Sequence, residues 1–395
     1  MTAQEPTPQE CQTECRTSRR RLTIGLPAPA DPRERRIALT PEGVHSLVDR
    51  GFRVVMETGA SSRINYSDER YTRQGAAIVS RAEAFGTDIV IDLSPAAPAD
   101  YRGMRRGALL LTLHHPEMHT SRTIAPLLQR QVTAVALDLI EDRRGNLPYA
   151  DILAEIDGRA AMMLGASLLA DPVRGKGILM GGVAGIVPCE AAIFGSGIAA
   201  RAAARTAHGL GAMVRMFDND VYSLRQAVHD LGQWVVGSSL HPHVVDGALR
   251  SADIVVSAPA SSDRLRLGTD AVVLMKQGAV IIDLSTPPGA SFPSLPTTDI
   301  ADIRRADVQF QRDSRRLCLV NPGASVARTA AMALNDTLLT TFDRIFAFSS
   351  LPEALSRMPG LRRSVVTYMG RVVNPDVARA AGARQVDISI YLTLS

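Results

Sequence analysis

Residues 190–220 read EAAIFGSGIAARAAARTAHGLGAMVRMFDND, and this stretch decides the fold class. The apolar residues 191–194 predict a buried strand, and the Ala- and Arg-rich residues after Gly197 predict a helix. Between them, the sequence Gly-Ser-Gly-Ile-Ala-Ala has the spacing G-x-G-x-x-A. A strand, a glycine turn of this spacing and a helix are together typical of a dinucleotide-binding domain.

Each residue of the turn has a predicted role in holding a pyrophosphate. Gly195 permits a tight turn, Gly197 lets the backbone approach the phosphates, and Ser196 lies between them. Ile198 begins the helix, whose N-terminus offers N–H groups and a positive dipole end to an anion. Ala200, small as the motif requires, keeps the helix close to the sheet.

A second apolar run ends at Asp218, 23 positions after the first glycine of the turn. A carboxylate there accepts hydrogen bonds from ribose hydroxyls and repels a 2′-phosphate, so the motif predicts NAD as the cofactor. Further strands are predicted within 251–260 and 278–285. Their C-terminal ends, which include Ala258 and Leu284, are expected to face the nicotinamide half of the cofactor.

The same strand–helix–strand rhythm precedes the glycine turn. A helix is predicted to start at Thr40-Pro41, because threonine is a good N-cap and proline a good first helical residue. Apolar runs on both sides of it predict strands. Alternation of strands and helices favours parallel sheets with helices on their faces, so we expect the α/β class.

Composition excludes several kinds of partner. A net charge of +4 is small for 395 residues, so no nucleic-acid partner is expected. No apolar run is long enough for a membrane span, and residues 1–21 are polar where a signal peptide is apolar. The spacing of the four cysteines, which include Cys11 and Cys15, does not fit a metal site. We expect a soluble cytoplasmic protein with a disordered tail over 1–21.

Longer motifs extend along most of the chain. They include ERRIALTPEGVHSLVDRGFRVVMETGA at 34–60, GKGILMGGVAGIVP at 175–188 and NPGASVART at 321–329. In content and order these segments resemble the alanine dehydrogenase and transhydrogenase α-subunit family. The resemblance implies two Rossmann-like parallel-sheet domains with an active-site cleft between them. The substrate-binding domain would comprise 22–150 and 325–395, and the NAD-binding domain 151–324.

The resemblance also implies roles for individual residues. The family arginine that holds the substrate carboxylate falls on Arg36, and the family histidine that moves protons falls on His114, beside His115. The family asparagine near the nicotinamide falls on Asn321. A histidine at the end of a strand suits acid–base chemistry near neutral pH.

Two catalytic positions of the family carry other residues here. The position of the lysine that polarises the oxo group falls on Ser94, and that of the aspartate that assists the amino group falls on Pro287. The only lysines among 44 basic residues, Lys176 and Lys276, are far from Ser94 in the sequence. Since a proline neither accepts nor donates a proton, we expect weak or absent alanine chemistry.

Two functional interpretations remain open. In the first, the protein is an NAD-dependent oxidoreductase acting on an amino acid, a 2-oxo acid or an imine other than alanine or pyruvate. Asp92 is predicted to lie on the same side of a strand as Ser94, where it would suit an amine or iminium or simply face water. In the second, NAD is bound without net redox, as in a redox-neutral lyase or cyclase or a regulatory binding protein. The resemblance further implies a homo-oligomer, either a dimer or a hexamer.

Overall fold

The computed structural model describes residues 21–114, 120–259, 265–300, 302–304 and 316–392. Cys11 and Cys15, most of the predicted tail, and His115 lie outside the described residues.

The strands and helices of the described residues alternate along most of the chain. The strands are β1 (Thr23–Leu26), β2 (Arg53–Glu57), β3 (Ala77–Val79), β4 (Ile89–Ile91), β5 (Leu109–Thr112), β6 (Thr133–Ala136), β7 (Glu190–Phe194), β8 (Met213–Phe217), β9 (Val235–Ser238), β10 (Ile254–Ser257), β11 (Val280–Asp283), β12 (Thr297–Asp299), β13 (Cys318–Val320), β14 (Val365–Tyr368) and β15 (Arg371–Val372). The helices are α1 (Pro41–Asp49), α2 (Asp68–Arg73), α3 (Arg81–Phe85), α4 (Pro98–Gly103), α5 (Ser121–Gln129), α6 (Pro148–Ala170), α7 (Ile198–Gly209), α8 (Val221–Leu231), α9 (Pro242–Ser251), α10 (Thr269–Leu274), α11 (Ala327–Phe346), α12 (Leu351–Arg357), α13 (Pro359–Arg363), α14 (Pro375–Ala381) and α15 (Ser389–Leu392).

The first sheet has the strand order β3-β2-β1-β4-β5-β6-β14-β15. The strands from β1 to β6 pair in parallel, whereas β14 runs antiparallel to β6 and β15 antiparallel to β14. The chain order reverses between β1 and β4, so the carboxyl ends of these two strands form a crevice of the kind that binds ligands in α/β proteins.

The second sheet has the order β12-β13-β11-β10-β7-β8-β9 and is parallel throughout. Its central strands β7, β10, β11 and β13 are buried on both faces, because separate apolar clusters pack on each side. The order reverses at β7, which is followed directly by the glycine turn, and this is the doubly wound arrangement of dinucleotide-binding domains. The predicted α/β class with two parallel-sheet domains is therefore confirmed.

Helix α6 is shared between the two domains. Tyr149 and Leu153 in its first half are buried in the core of the first sheet, whereas Met162 and Leu164 are buried in the core of the second. Helix α11 returns the chain to the first core. Because α6 contributes to both cores, it holds the two sheets on either side of one cleft.

Candidate active site

The glycine turn after β7 has the backbone geometry that its spacing predicts. Gly195 has φ +117°, and a Cβ atom there would lie 2.0 Å from the carbonyl oxygen of Ala258, so only glycine fits. Gly197 precedes the first residue of α7, and a Cβ atom there would meet nothing within 4 Å. The open space at Gly197 suits a phosphate group at the N-terminus of α7. Ile198 is partly exposed on the first turn of the helix, and Ala200 is fully buried against the sheet.

Asp218 follows β8 and is held beside the glycine turn. Its Oδ2 accepts a hydrogen bond from the hydroxyl of Ser196 at 2.6 Å, and its Oδ1 accepts one from the N–H of Asp220 at 2.9 Å. These bonds fix the orientation of the carboxylate, which is 7% exposed. A fixed acceptor at this position fits the ribose of a dinucleotide, so the residues present suit NAD.

Three further predicted residues lie beyond the carboxyl ends of strands in the same sheet. The N–H of Ala258 donates to Phe194 O at 2.7 Å, and the N–H of Leu284 donates to Ser257 O at 2.8 Å, so both residues extend the ladder. Asn321 follows β13 in the left-handed region, with φ 58°. Its side-chain amide donates to Asp299 at 2.9 Å, on the neighbouring strand. These residues surround the crevice at one edge of the sheet.

Arg36 lies across the cleft, on the segment between β1 and α1. Its Nε and Nη2 donate to the two carboxylate oxygens of Glu34, at 2.8 and 2.6 Å. Burial by itself would lower the pKa of Arg36, but the charge and hydrogen bonds of Glu34, with the charges of Asp157 and Asp138, raise it above its ordinary value. Glu34 thus takes two of the five N–H donors of the guanidinium, Nε–H and one N–H of Nη2.

Asp92 and Ser94 form a local pair. Strand β4 ends at Ile91, so both lie just beyond the strand on which we expected them, although the N–H of Asp92 still donates to the neighbouring strand. The Ser94 hydroxyl donates to Asp92 Oδ1 at 3.3 Å and accepts from the N–H of Ala30 at 3.2 Å. Ser94 thereby ties the loop after β1 to the end of β4.

The carboxyl group of Asp92 is 3% exposed, which excludes the water-facing interpretation of this residue. Burial raises the pKa of Asp92 to about 7, although the hydrogen bonds from Ser94 and the charge of Arg81 act to lower it. With Arg36, Asp92 lines a small cavity whose other walls are largely apolar. Buried carboxyl groups with pKa values near neutrality are common in active sites.

His114 lies two residues beyond the end of β5, on the same edge of the first sheet as Asp92. Its backbone N–H donates to the carboxylate of Asp138 at 2.7 Å. The side chain is partly buried. His114, Asp92 and Arg36 therefore follow the carboxyl ends of adjacent strands or the loop beside them, where substrates bind in this class of sheet.

Neither lysine lies at the carboxyl edge of the second sheet, where the cofactor residues are. Lys176 and Lys276 both bind Asp253 Oδ1, at 2.7 and 3.0 Å. Asp253 directly precedes β10, at the amino end of the sheet, whereas Ala258 marks the carboxyl end. On the loop after β11, the Ser285 hydroxyl donates to Asp283 Oδ2 at 2.7 Å and lies 3.2 Å from the carbonyl oxygen of Pro287.

Sequence reasoning missed Glu34, Asp138 and Asp157 as neighbours of Arg36. Glu34 carried a local signal, since it lies two residues before Arg36 in the same motif. Asp138 and Asp157 carried none, because more than 100 residues separate each of them from Arg36. In the part of the chain that the structure describes, no group of acidic, histidine or cysteine side chains could hold a metal ion. No helix there is long and apolar enough to cross a membrane.

A doubly wound domain with this glycine turn, facing a second parallel sheet across a cleft with an arginine, a histidine and buried carboxyl groups, defines the class of NAD-dependent oxidoreductases. The models of two protein-family domains match this chain and agree with that class. The alanine dehydrogenase/PNT N-terminal domain matches residues 25–156, and the alanine dehydrogenase/PNT C-terminal domain matches residues 161–375. The chain belongs to the alanine dehydrogenase/PNT family, and its cofactor is NAD.

Individual relatives support this assignment. The alanine dehydrogenase of Mycolicibacterium smegmatis is 30% identical over 378 residues, which cover 94% of this chain and 100% of the relative. Alanine dehydrogenase 2 of Staphylococcus aureus is 30% identical over 363 residues, covering 91% and 96%. A solved L-alanine dehydrogenase matches with a TM-score of 0.79 and 27% identity, covering 91% of this chain and 99% of that one. The transhydrogenase from Sinorhizobium meliloti shares the fold, with a TM-score of 0.69 and 22% identity over 89% of this chain and 99% of its own.

Proposed function

We propose that this protein is an NAD-dependent oxidoreductase acting at a C–N or C–O centre of an amino acid, a 2-oxo acid or an imine other than alanine or pyruvate. The observation that carries the proposal is the contrast between the intact cofactor site and the absence of an available lysine in the cleft. The glycine turn and Asp218 have the geometry that NAD requires, whereas the hydroxyl of Ser94 is occupied by Asp92 and Ala30. Both lysines are held by Asp253 at the opposite edge of the sheet.

NAD, when bound, supplies the hydride acceptor or donor. Gly195, Gly197 and the N-terminus of α7 would hold its pyrophosphate, and Asp218 its ribose. Ala258, Leu284 and Asn321 surround the crevice where the nicotinamide would lie.

The first domain would supply the substrate contacts. Arg36 would bind a substrate carboxylate through the guanidinium edge that Glu34 leaves open. His114 would hold or release the proton that accompanies oxidation or reduction. The Asp92 carboxyl group would meet the substrate nitrogen in the cavity that it shares with Arg36.

We also propose that the protein forms a homo-oligomer, a dimer or a hexamer. Large apolar side chains before β7 are exposed in the single chain, among them Leu179, Ile186 and Val187. Exposed apolar patches of this kind are often covered in an oligomer. Light scattering coupled to size-exclusion chromatography measures the mass, and a monomer at micromolar concentration would contradict the proposal.

The activity is tested by following NADH absorbance with a panel of amino acids, 2-oxo acids and cyclic imines. We expect turnover with a member other than alanine, and slow or absent amination of pyruvate. A robust alanine dehydrogenase rate would overturn the proposed substrate difference. Measurable NAD binding without any absorbance change would instead favour a redox-neutral lyase or cyclase, or a binding protein.

With the substrate in hand, His114→Ala should lower kcat about 10²- to 10⁴-fold, because a positioned proton-transfer group contributes that much to the rate. The affinity for NAD should not change, since the cofactor lies in the other domain. The matched control is His45→Ala, at an exposed position on α1, which should keep the full rate. Full activity of His114→Ala would exclude the proposed role.

A further inference from the structure

Ser196, the residue between the two glycines of the turn after β7, is 1% exposed. Its backbone carbonyl accepts a hydrogen bond from Nε of Arg201, the fourth residue of α7, at 2.8 Å. Nη1 of Arg201 in turn donates to Asp230, near the end of α8, at 2.8 Å. The peptide that follows Ser196 is therefore held in place by side chains of two helices.

The turn is also joined to the end of β8 at two points. The N–H of Gly195 donates to the carbonyl oxygen of Phe217 at 2.7 Å, a bond between main chains. The hydroxyl of Ser196 donates to Asp218 Oδ2 at 2.6 Å, a bond between side chains. A serine hydroxyl has one hydrogen, and Ser196 gives it to this carboxylate. Because the backbone of Ser196 is fixed on both sides, the direction of the bond to Asp218 is fixed too.

The remaining acceptor capacity of Asp218 is divided evenly between its two oxygens. An ionised carboxylate has about four acceptor positions, two on each oxygen. Ser196 fills one position on Oδ2, and the N–H of Asp220 fills one on Oδ1 at 2.9 Å. The described residues supply no other donor to this carboxylate. One acceptor position on each oxygen is left, which matches two hydroxyl groups on neighbouring carbon atoms.

The pairing of these two positions depends on Ser196. The terminal torsion of an aspartate has only a broad rotational preference, and a single hydrogen bond to Oδ1 is compatible with a range of rotations. The second bond, to Oδ2, removes this freedom because it fixes both oxygens at once. The two remaining positions therefore point in fixed directions as a pair only while Ser196 donates.

We propose that Ser196 is a positioning residue that makes the cofactor site specific for the two neighbouring hydroxyls of a ribose, by holding Asp218 so that each oxygen accepts from one of them. The inference rests on the proposed function, which places the cofactor ribose at Asp218. A 2′-deoxyribose leaves one acceptor position empty, and a 2′-phosphate brings negative charge against the carboxylate.

The test compares ADP with 2′-deoxy-ADP, which differ by one hydroxyl group, in isothermal titration calorimetry on the full-length protein. The wild type should bind ADP about 10- to 100-fold more tightly, the range for a hydrogen bond to a charged group. In Ser196→Ala this preference should fall to a few-fold. Ser196→Cys keeps most of the side-chain volume but donates weakly, and should lose the preference as well.

The matched control is Ser251→Ala, which removes a hydroxyl that bonds to the backbone within α9, at the amino edge of the same sheet. This variant should keep the full preference for ADP. A second comparison adds Ser196→Ala to Asp218→Asn. The added change should leave the ratio of the two affinities as it is in Asp218→Asn alone, because Ser196 acts through the Asp218 carboxylate.

The outcomes separate the role of Ser196 from the proposed contact of Asp218 with the ribose. If the wild type binds the two nucleotides equally, or binds neither, or if Asp218→Asn keeps the preference, both are wrong. If Asp218→Asn loses the preference and Ser196→Ala keeps it, only the role of Ser196 is excluded. Equal weakening of ADP and 2′-deoxy-ADP by Ser196→Ala also excludes that role, because Ser196 would then only support the turn.

Discussion

Asp92 shows how the fold changes the chemistry of one side chain. The residue lies just after β4, its carboxyl group is almost inaccessible to water, and its pKa is raised from 3.8 to about 7 by burial. A carboxyl group in this state exists in both protonation forms near neutral pH, so it can donate to a substrate nitrogen or accept from one. The cost is that ionising Asp92 opposes folding.

This cost predicts a pH dependence of stability. A carboxyl group with a raised pKa binds its proton more tightly in the folded state, so the free energy of unfolding falls as pH rises from about 4 to about 7. Asp92→Asn removes this dependence, and the variant should gain stability relative to the wild type by up to about 4 kcal/mol across the window. Urea denaturation at several pH values measures the difference.

The matched control for this series is Asp49→Asn, at an exposed position at the end of α1. Its stability relative to the wild type should vary little over the same window. A difference between Asp92→Asn and wild type that is constant with pH would show that the carboxyl group is not perturbed in the folded protein.

At the scale of elements, the crossing of α6 and α7 positions the cofactor site. A Cβ atom on Gly158 of α6 would lie 2.1 Å from the carbonyl oxygen of Ala199, in the first turn of α7. The two helices thus touch at the point where α7 presents its N-terminal N–H groups. If α6 and α7 are pushed apart at this contact, the N-terminal end of α7, which presents the anion-binding N–H groups, moves.

Gly158→Ala should therefore destabilise the protein and weaken NAD binding. The added methyl group forces the helices apart, which costs about 1–3 kcal/mol, and shifts the N–H groups of α7. The control is Gly209→Ala at the other end of α7, where a Cβ atom meets nothing within 4 Å and helix propensity favours alanine. Thermal denaturation and NAD titration measure both effects, and unchanged NAD affinity in Gly158→Ala would contradict the coupling.

At the scale of the whole molecule, the two lysines and the reaction cleft lie at opposite edges of one sheet. Asp253, which binds both lysines, precedes β10, and Ala258 follows it, a separation of about 16 Å along the strand. The side chain of Asp253 is mostly buried, and its pKa is lowered: burial opposes this shift, and Lys176 and Lys276 produce it. The lysines therefore stabilise the fold.

The double variant Lys176→Met/Lys276→Met should lose about 2–4 kcal/mol of stability, because it leaves a buried carboxylate unpaired. Turnover of the substrate found in the NADH screen and the affinity for NAD should persist at temperatures where the variant is folded. Adding Asp253→Asn should recover part of the stability. Loss of turnover in a variant of full stability would show that a lysine takes part in the reaction.

Much of the fold was predictable because its signals are local. The glycine turn, the start of α1 at Thr40 and the burial of β7 depend on residues within a few positions of one another, and each has the predicted geometry. The roles that the sequence predicts for Arg36, His114 and Asn321 stay predictions, although the structure places each at the carboxyl edge of its sheet or beside it.

The surroundings of those residues were not predictable. Glu34 takes one edge of Arg36, and Asp157 reaches Gly323 across 166 positions of sequence. Hydrogen bonds and charges between distant segments leave no periodicity or spacing, because they arise only when α6 has packed into both cores. Short-range backbone and burial preferences are encoded residue by residue, and they specify an NAD-binding α/β chain; the electrostatic character of the cleft depends on which segments the folded chain brings together.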